Sequence, residues 1–180
     1  MTTVLGRRSV LRLGGAAFAA GVASPALANT GKANVRSLAL SNLHTGERRT
    51  LDYWADGTYV PEVLNAANHL LRDYRNNEVH VIEPKLLDLV NLLQRGLGST
   101  AEVQIISGYR SPASNAAMHE HSSGVAAHSL HMKGMAMDIR LADVRLDRLH
   151  DAALALQAGG VGYYPSEDFV HVDVGRVRRW

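Results

Sequence analysis

The chain predicts an α+β domain, with a mostly antiparallel central sheet flanked by helices. Three features predict it. Apolar residues alternate with a period of two in several short segments, and they recur at helical spacing in longer ones. The two kinds of segment follow one another without a regular βαβ rhythm. The chain has 180 residues, enough for one domain with its own core and no staples.

The elements follow in order. VRSLALSN alternates from Val35 to Leu40, and RRTLDYWADG comes after LHTGE, so the pair predicts a hairpin turning near Thr45-Gly46. Asp56-Gly57 marks a second turn. PEVLNAANHLLRDYRN reads as a helix, with Pro61 in its first turn, Glu62 near the positive end of the dipole, and Leu64, Ala67, Leu71 and Tyr74 on one face. EPKLLDLVNLLQRGLG repeats the design, with a stripe of Leu86, Leu89, Val90 and Leu93 and a stop at Gly96 and Gly98. AEVQIISGYRS is a buried strand ending in a turn. The small-residue stretch that follows is a loop with room for one short helix. GMAMDIRL is the next strand, RLDRLHDAALALQ a helix ended by Gly159-Gly160, and GGVGYYPSEDFVHVDVG a terminal hairpin turning near Pro165-Ser166.

The N-terminus reads as an address. GRRSVLRLGG is a twin-arginine opening, an apolar Ala- and Gly-rich stretch runs from Leu13 to Val22, and ASPALA ends in an A-x-A pattern at Ala26 and Ala28. The alternative is a membrane anchor, but the stretch is short for a span and rich in small residues. Residues 1–28 are therefore expected to be a signal peptide for the twin-arginine machinery, 29–34 a flexible leader and 35–180 the working domain. The destination is the periplasm or cell envelope, with no stable membrane span after processing. The formal charge of +2 belongs to that address: without its three arginines, 16 basic residues face 17 acidic ones. Net charge then gives no case for a nucleic-acid partner. There is no cysteine, so neither a disulfide nor a lipid-modified thiol is available.

Chemistry concentrates in HSLHMKGMAMDIRL and FVHVDVG. A catalytic zinc takes three protein ligands from imidazole or carboxylate and keeps one position open. His131, Asp138 and His171 supply that number. Asp138 alternates with Met137 and Ile139 on a strand, so it shares a face with Ala136; Gly134 allows the chain to bend and bring His131 back over it. If the His171 strand pairs with the Asp138 strand, the three converge. By itself, an H-x6-D spacing is weak, since a histidine on a strand is usually just a satisfied polar residue.

Three separated motifs, SGYRSP, HMKGMAMDI and GGVGYYPSEDFVHVDVG, together resemble the M15 zinc peptidases, in particular an exported bacterial DUF882-type branch that includes a murein endopeptidase. The resemblance covers residues 35–180. It implies the small M15/Hedgehog-like α+β fold, one zinc ion per chain held by His131, Asp138 and His171, and a substrate among the stem peptides of peptidoglycan. It also implies that Arg110 binds substrate near the scissile bond, a role suited to a guanidinium that grips carboxylates bidentately. Many relatives carry an acid three residues before the last histidine as the general base. Asp168 holds that place, with Glu167 beside it, and its bland alternative is an ordinary turn acid. Relatives with a histidine two residues before the ligand have no counterpart here, since Phe169 stands there.

Other residues are expected around the site. Asp173 can hold a ligand imidazole. His128 is a candidate fourth ligand or substrate contact from a histidine-rich tract that also contains His119 and His121. Ser107 is expected to support the site, and Tyr164 to stack on substrate or pack in the core. The function expected is endopeptidic cleavage of cross-links between stem peptides. The alternatives are a D,D- or L,D-carboxypeptidase that trims stems, or a silent zinc-containing module that only binds murein. A serine hydrolase is disfavoured, because no G-x-S-x-G or S-x-x-K stretch has a matching partner.

Overall fold

The computed structural model describes residues 34–121 and 126–180. The expected signal peptide, and the leader up to residue 33, lie outside the described residues. Strands β1 (Arg36–Asn42) and β2 (Arg48–Ala55) form the expected antiparallel hairpin, and Gly46 takes the left-handed conformation (φ 71°) that closes its turn. A short β3 (Thr58–Tyr59) follows the Asp56-Gly57 turn and pairs with β2.

Helix α1 spans Pro61–Leu70 and stops short of the expected RDYRN extension. Asp73 is the cause. Its side chain accepts from Ser111 and from the Arg75 N–H, and its own N–H bonds the Glu78 carbonyl, so the segment is tied into a loop. Helix α2 covers Pro84–Gly96 as read, and Gly98 (φ 64°) ends its turn. Strand β4 is Val103–Ser107. The expected short helix in the small-residue stretch is α3, Pro112–His121. A 3-10 turn at Leu130–Lys133 leads to β5 (Ala136–Leu141). Helix α4 (Leu146–Leu156) is ended by Gln157 in the left-handed region (φ 48°), two residues before the expected Gly159. Strands β6 (Gly160–Tyr164) and β7 (Phe169–Asp173) make the terminal hairpin, and β8 (Arg178–Arg179), not foreseen, pairs parallel with β6.

All eight strands join one sheet in the order β3-β2-β1-β4-β5-β7-β6-β8, antiparallel except at β1/β4 and β6/β8. Its two faces differ in chemistry. Met137, Ile139, Val161, Val170 and Val172 belong to one buried apolar core with Leu86, Leu87, Val90 and Leu93 of α2 and Leu149 and Ala153 of α4. Strand alternation then puts Asp138, His171 and Asp173 on the opposite face.

At the hairpin end, α2 is fixed to the sheet by a polar cluster. The Asp88 carboxylate accepts from Arg36 Nη1 (2.6 Å), Tyr53 Oη (3.0 Å) and Tyr59 Oη (2.7 Å). Among the described residues, no helix is long and apolar enough to cross a membrane.

Candidate metal centre

The ligand residues meet through strand register. β5 pairs antiparallel with β7 so that Asp138 stands opposite His171, and a bulge in β4 sets Ser107 opposite Asp138 from the other side. Gly162 of β6 completes the row beside His171. His131 comes from the 3-10 turn. The Ser129 hydroxyl caps the turn by accepting from the His131 N–H, and Gly134 leaves it in the left-handed conformation (φ 65°). A Cβ on Gly134 would also overlap the Val81 carbonyl, so the position needs glycine for two reasons.

One atom from each residue faces the other two. His131 Nε2 is 3.1 Å from His171 Nδ1 and 3.3 Å from Asp138 Oδ1, and His171 Nδ1 is 2.9 Å from Asp138 Oδ1. A tetrahedral zinc with ligands at about 2.0–2.1 Å has ligand–ligand edges of about 3.3 Å, so this triangle fits one face of such a site. All three residues are buried.

The far side of each imidazole settles which nitrogen is free. His131 Nδ1 lies 2.7 Å from the Gly108 carbonyl oxygen, which can only accept, so Nδ1 carries the proton. His171 Nε2 lies 3.1 Å from Asp173 Oδ2 and donates to it. In the neutral rings, His131 Nε2 and His171 Nδ1 are then lone pairs aimed at a carboxylate oxygen. Asp173 is fully buried and saturated: Oδ1 accepts from the N–H groups of Gly160 and Gly175 (both 2.9 Å), and Arg178 bonds both oxygens. Desolvation works against ionising Asp173, but His171, Arg178 and the two backbone donors outweigh it and hold the carboxyl well below its usual range. Asp138 is likewise held low: burial opposes ionisation, and positive charge on His131 and His171 overcomes it, a part that falls to a bound cation when both rings are neutral.

Gly108 and His131 fix one another. The Gly108 carbonyl takes the imidazole proton, and the His131 carbonyl accepts the Arg110 N–H (3.2 Å). A Cβ at Gly108 would press on the Leu71 carbonyl oxygen at 2.5 Å, so a larger residue would push this loop off α1. Arg110 is 6% exposed. Its Nη2 is 3.8 Å from Asp138 Oδ2, its Nη1 reaches Asn115 Oδ1 at 3.4 Å, and its buried Nε has no partner.

A cleft of about 710 Å³ opens over the triad. Ser107, Arg110, His128, Tyr164 and Glu167 line it with the three ligand residues, as do Tyr74, Arg75 and Trp180, which sequence reasoning did not single out. Tyr164 stacks on Phe169 (centroids 4.5 Å) and accepts the Trp180 indole N–H (2.7 Å). Asp168 is placed differently from the expectation. Its carboxylate is ion-paired with Arg140, its side chain is 61% exposed, and its neighbour Glu167 is the acid on the cleft wall. The separation follows from Asp168 having positive φ (56°) in the β6–β7 turn.

Comparison with known proteins agrees with this architecture. Residues 30–180 match the M15 peptidase family model described as Peptidoglycan L,D-endopeptidase MepK. The protein of that name from Escherichia coli is 44% identical over 175 residues, 97% of this chain and 96% of the relative. The Shigella flexneri protein gives the same figures. The probable peptidoglycan L,D-endopeptidase MepK of Haemophilus influenzae is 39% identical over 176 residues, 97% of this chain and 95% of the relative. No solved structure matches. With a family match across the whole described domain and relatives alike over nearly their full length, the chain belongs to the M15 peptidases, in the family described as peptidoglycan L,D-endopeptidase MepK.

Proposed function

We propose that this chain is a zinc-dependent peptidoglycan endopeptidase that hydrolyses an L,D bond in the cross-links between stem peptides. The observation that carries the reading is the convergence of three lone pairs within 3.3 Å, each fixed from behind or by strand register. Such an arrangement repels itself until a cation sits among the three atoms. A zinc held there supplies Lewis-acid polarisation of a carbonyl and an acidified water at neutral pH.

The protein's own part is orientation and proton transfer. Gly108 and Asp173 keep the imidazoles in one tautomer and one plane. Arg110 lines the cleft with only long contacts to its guanidinium nitrogens, which leaves it able to bind a substrate carbonyl or carboxylate. The proton carrier belongs to the Glu167-Asp168 turn: Asp168 serves only by leaving Arg140, whereas Glu167 already faces the cleft. Loss of the acid limb of the pH–rate profile in Glu167→Gln or in Asp168→Asn assigns the role, and a full profile in both removes it from the turn.

Residues 1–28 are proposed as a twin-arginine signal, with cleavage near Ala28 releasing a periplasmic enzyme. The relatives' names support an envelope substrate.

The test is digestion of cross-linked muropeptide dimers by the zinc-loaded protein and by His131→Ala, followed by chromatography and mass spectrometry. Conversion of dimers to monomers by wild type alone, abolished by chelation and restored by zinc, is the expected result. Release of only a terminal D-Ala would make the protein a carboxypeptidase, and no turnover by a folded, zinc-loaded protein would make it a binding module.

A further inference from the structure

Besides Arg178, two arginines line the cleft beside the triad, Arg75 and Arg110, and a single buried carboxylate holds the backbone at both positions. Asp73 is fully buried, in the loop that cuts α1 short. Its Oδ1 accepts the Arg75 N–H (3.1 Å), and its Oδ2 accepts both the N–H (2.9 Å) and the hydroxyl (2.8 Å) of Ser111, the residue after Arg110. Asp73 therefore anchors the backbone beside both side chains, and it meets the Arg75 guanidinium only through a long ion pair. Its closest approach to the Arg75 guanidinium is a long 3.5 Å. That guanidinium lies instead over the Tyr74 ring, 4.2 Å from its centroid, and Tyr74 is stacked on His44 at 3.8 Å.

Neither arginine has a strong partner. Arg110 is more than nine-tenths buried with an unbonded Nε, and Asp138, its nearest carboxylate, is occupied with the two histidines. The remaining acid on the cleft wall, Glu167, takes the Ser166 hydroxyl (3.0 Å) in the β6–β7 turn. Arg178 also lines the cleft but is spent on Asp173. Buried donors are almost always satisfied, and a buried cation without a partner is costly. Two arginines lining one cavity, neither with a strong anionic partner, suit a carboxylate held between them.

We propose that Arg75 and Arg110 form a two-guanidinium subsite for a free carboxylate of the substrate, and that Arg75 sets a preference for acidic stem peptides over amidated ones. The identity of that carboxylate rests on the peptidoglycan reading above; the subsite itself rests on the geometry. It also gives the Tyr74–His44 stack a purpose, since the stack holds the Arg75 guanidinium flat at the cleft wall.

The test is calorimetric binding of muropeptide monomers, which carry no cross-link to cut, to the zinc-loaded full chain. The monomers are used with free stem carboxylates and after carbodiimide amidation. Wild type is expected to bind the free form about tenfold or more tightly, with a preference that shrinks as salt rises. Arg75→Gln should bring the free-to-amidated ratio close to one, and Arg75→Lys, which keeps the charge but not the fork, should restore part of it. Equal weakening toward both monomers, or an unchanged ratio in Arg75→Gln, would overturn the subsite. Unfolding midpoints of both variants guard against a folding artefact, with the lysine variant carrying the test if the glutamine variant does not fold. Turnover of dimers is measured separately: failure of wild type to cut them sinks the peptidase reading, while the monomer ratio still decides the subsite.

Discussion

Two aspartates, Asp88 on helix α2 and Asp138 on the interior strand β5, are each ringed by three polar neighbours. Asp88 meets hydrogen-bearing atoms only: a guanidinium and two phenols. Each donates, the carboxylate is complete, and the cluster locks α2 to the hairpin. Asp138 meets Arg110 at a distance of 3.8 Å and two imidazole nitrogens whose rings direct their N–H groups the other way, to Gly108 and Asp173. Similar distances and similar residue classes thus produce a structural joint in one place and a candidate cation site in the other. The difference lies one layer out, in what occupies the far side of each ring.

Removing a ligand should break the contrast most sharply. His131→Ala or Asp138→Ala is expected to lose stoichiometric zinc, read by metal analysis, and to cut dimer turnover by about a thousandfold or more. Retention of one zinc per chain in both variants would refute the triad. Chelation is next. With zinc held at about a thousand times its dissociation constant, linkage contributes about 4 kcal/mol, so a chelator should lower the unfolding midpoint of wild type by many degrees. His131→Ala should show no such response.

Asp88→Ala probes the finished joint. It leaves the buried Tyr53 hydroxyl without its acceptor and should cost about 2–3 kcal/mol in denaturant titrations, with zinc content unchanged. Its acid dependence has a definite sign. Burial opposes ionisation of Asp88, but Tyr59, Arg36 and Tyr53 together hold its carboxyl below the ordinary value. Its contribution is therefore complete above the unfolded value of about 4 and is lost as pH falls through the lower folded value. The stability gap between wild type and Asp88→Asn, measured in chelator, should close over that window; a gap constant down to pH 2 would contradict the assignment. The smallest effect expected is at the outer layer of the metal site. Arg178→Gln frees Asp173 from its bidentate clamp and should weaken zinc about tenfold in competition with a chromophoric chelator, with little change in fold.

The contrast also marks what could be read in advance. The convergence of His131, Asp138 and His171 was legible because a candidate metal site calls for particular residue types, and because strand alternation puts Asp138 and His171 each on a defined face. Asp173 was legible as their support by its parity with His171. The M15 resemblance is borne out by the family match, and the α+β class by the single eight-stranded sheet. The Asp88 cluster was not legible, since Arg36, Tyr53, Tyr59 and Asp88 sit on four elements and share no local pattern. Nor was the end of α1. RDYRN continues the helical stripe of its own segment, and only the distant Ser111 makes the loop the better solution for Asp73.

The sequence by itself determined the hairpins, the four helices in outline and the candidate residues for a metal, because period, turn residues and caps act over a few positions of chain. Tertiary structure decided which nitrogen of each histidine is free, that Asp168 turns onto Arg140 while Glu167 faces the cleft, and that Arg75 stands with Arg110. Apart from the free nitrogen of His171, which Asp173 sets from two residues along the same strand, each of those depends on an atom brought from 23 to 38 residues away, or on a backbone angle in a turn, and no periodicity along the chain encodes where such an atom will arrive.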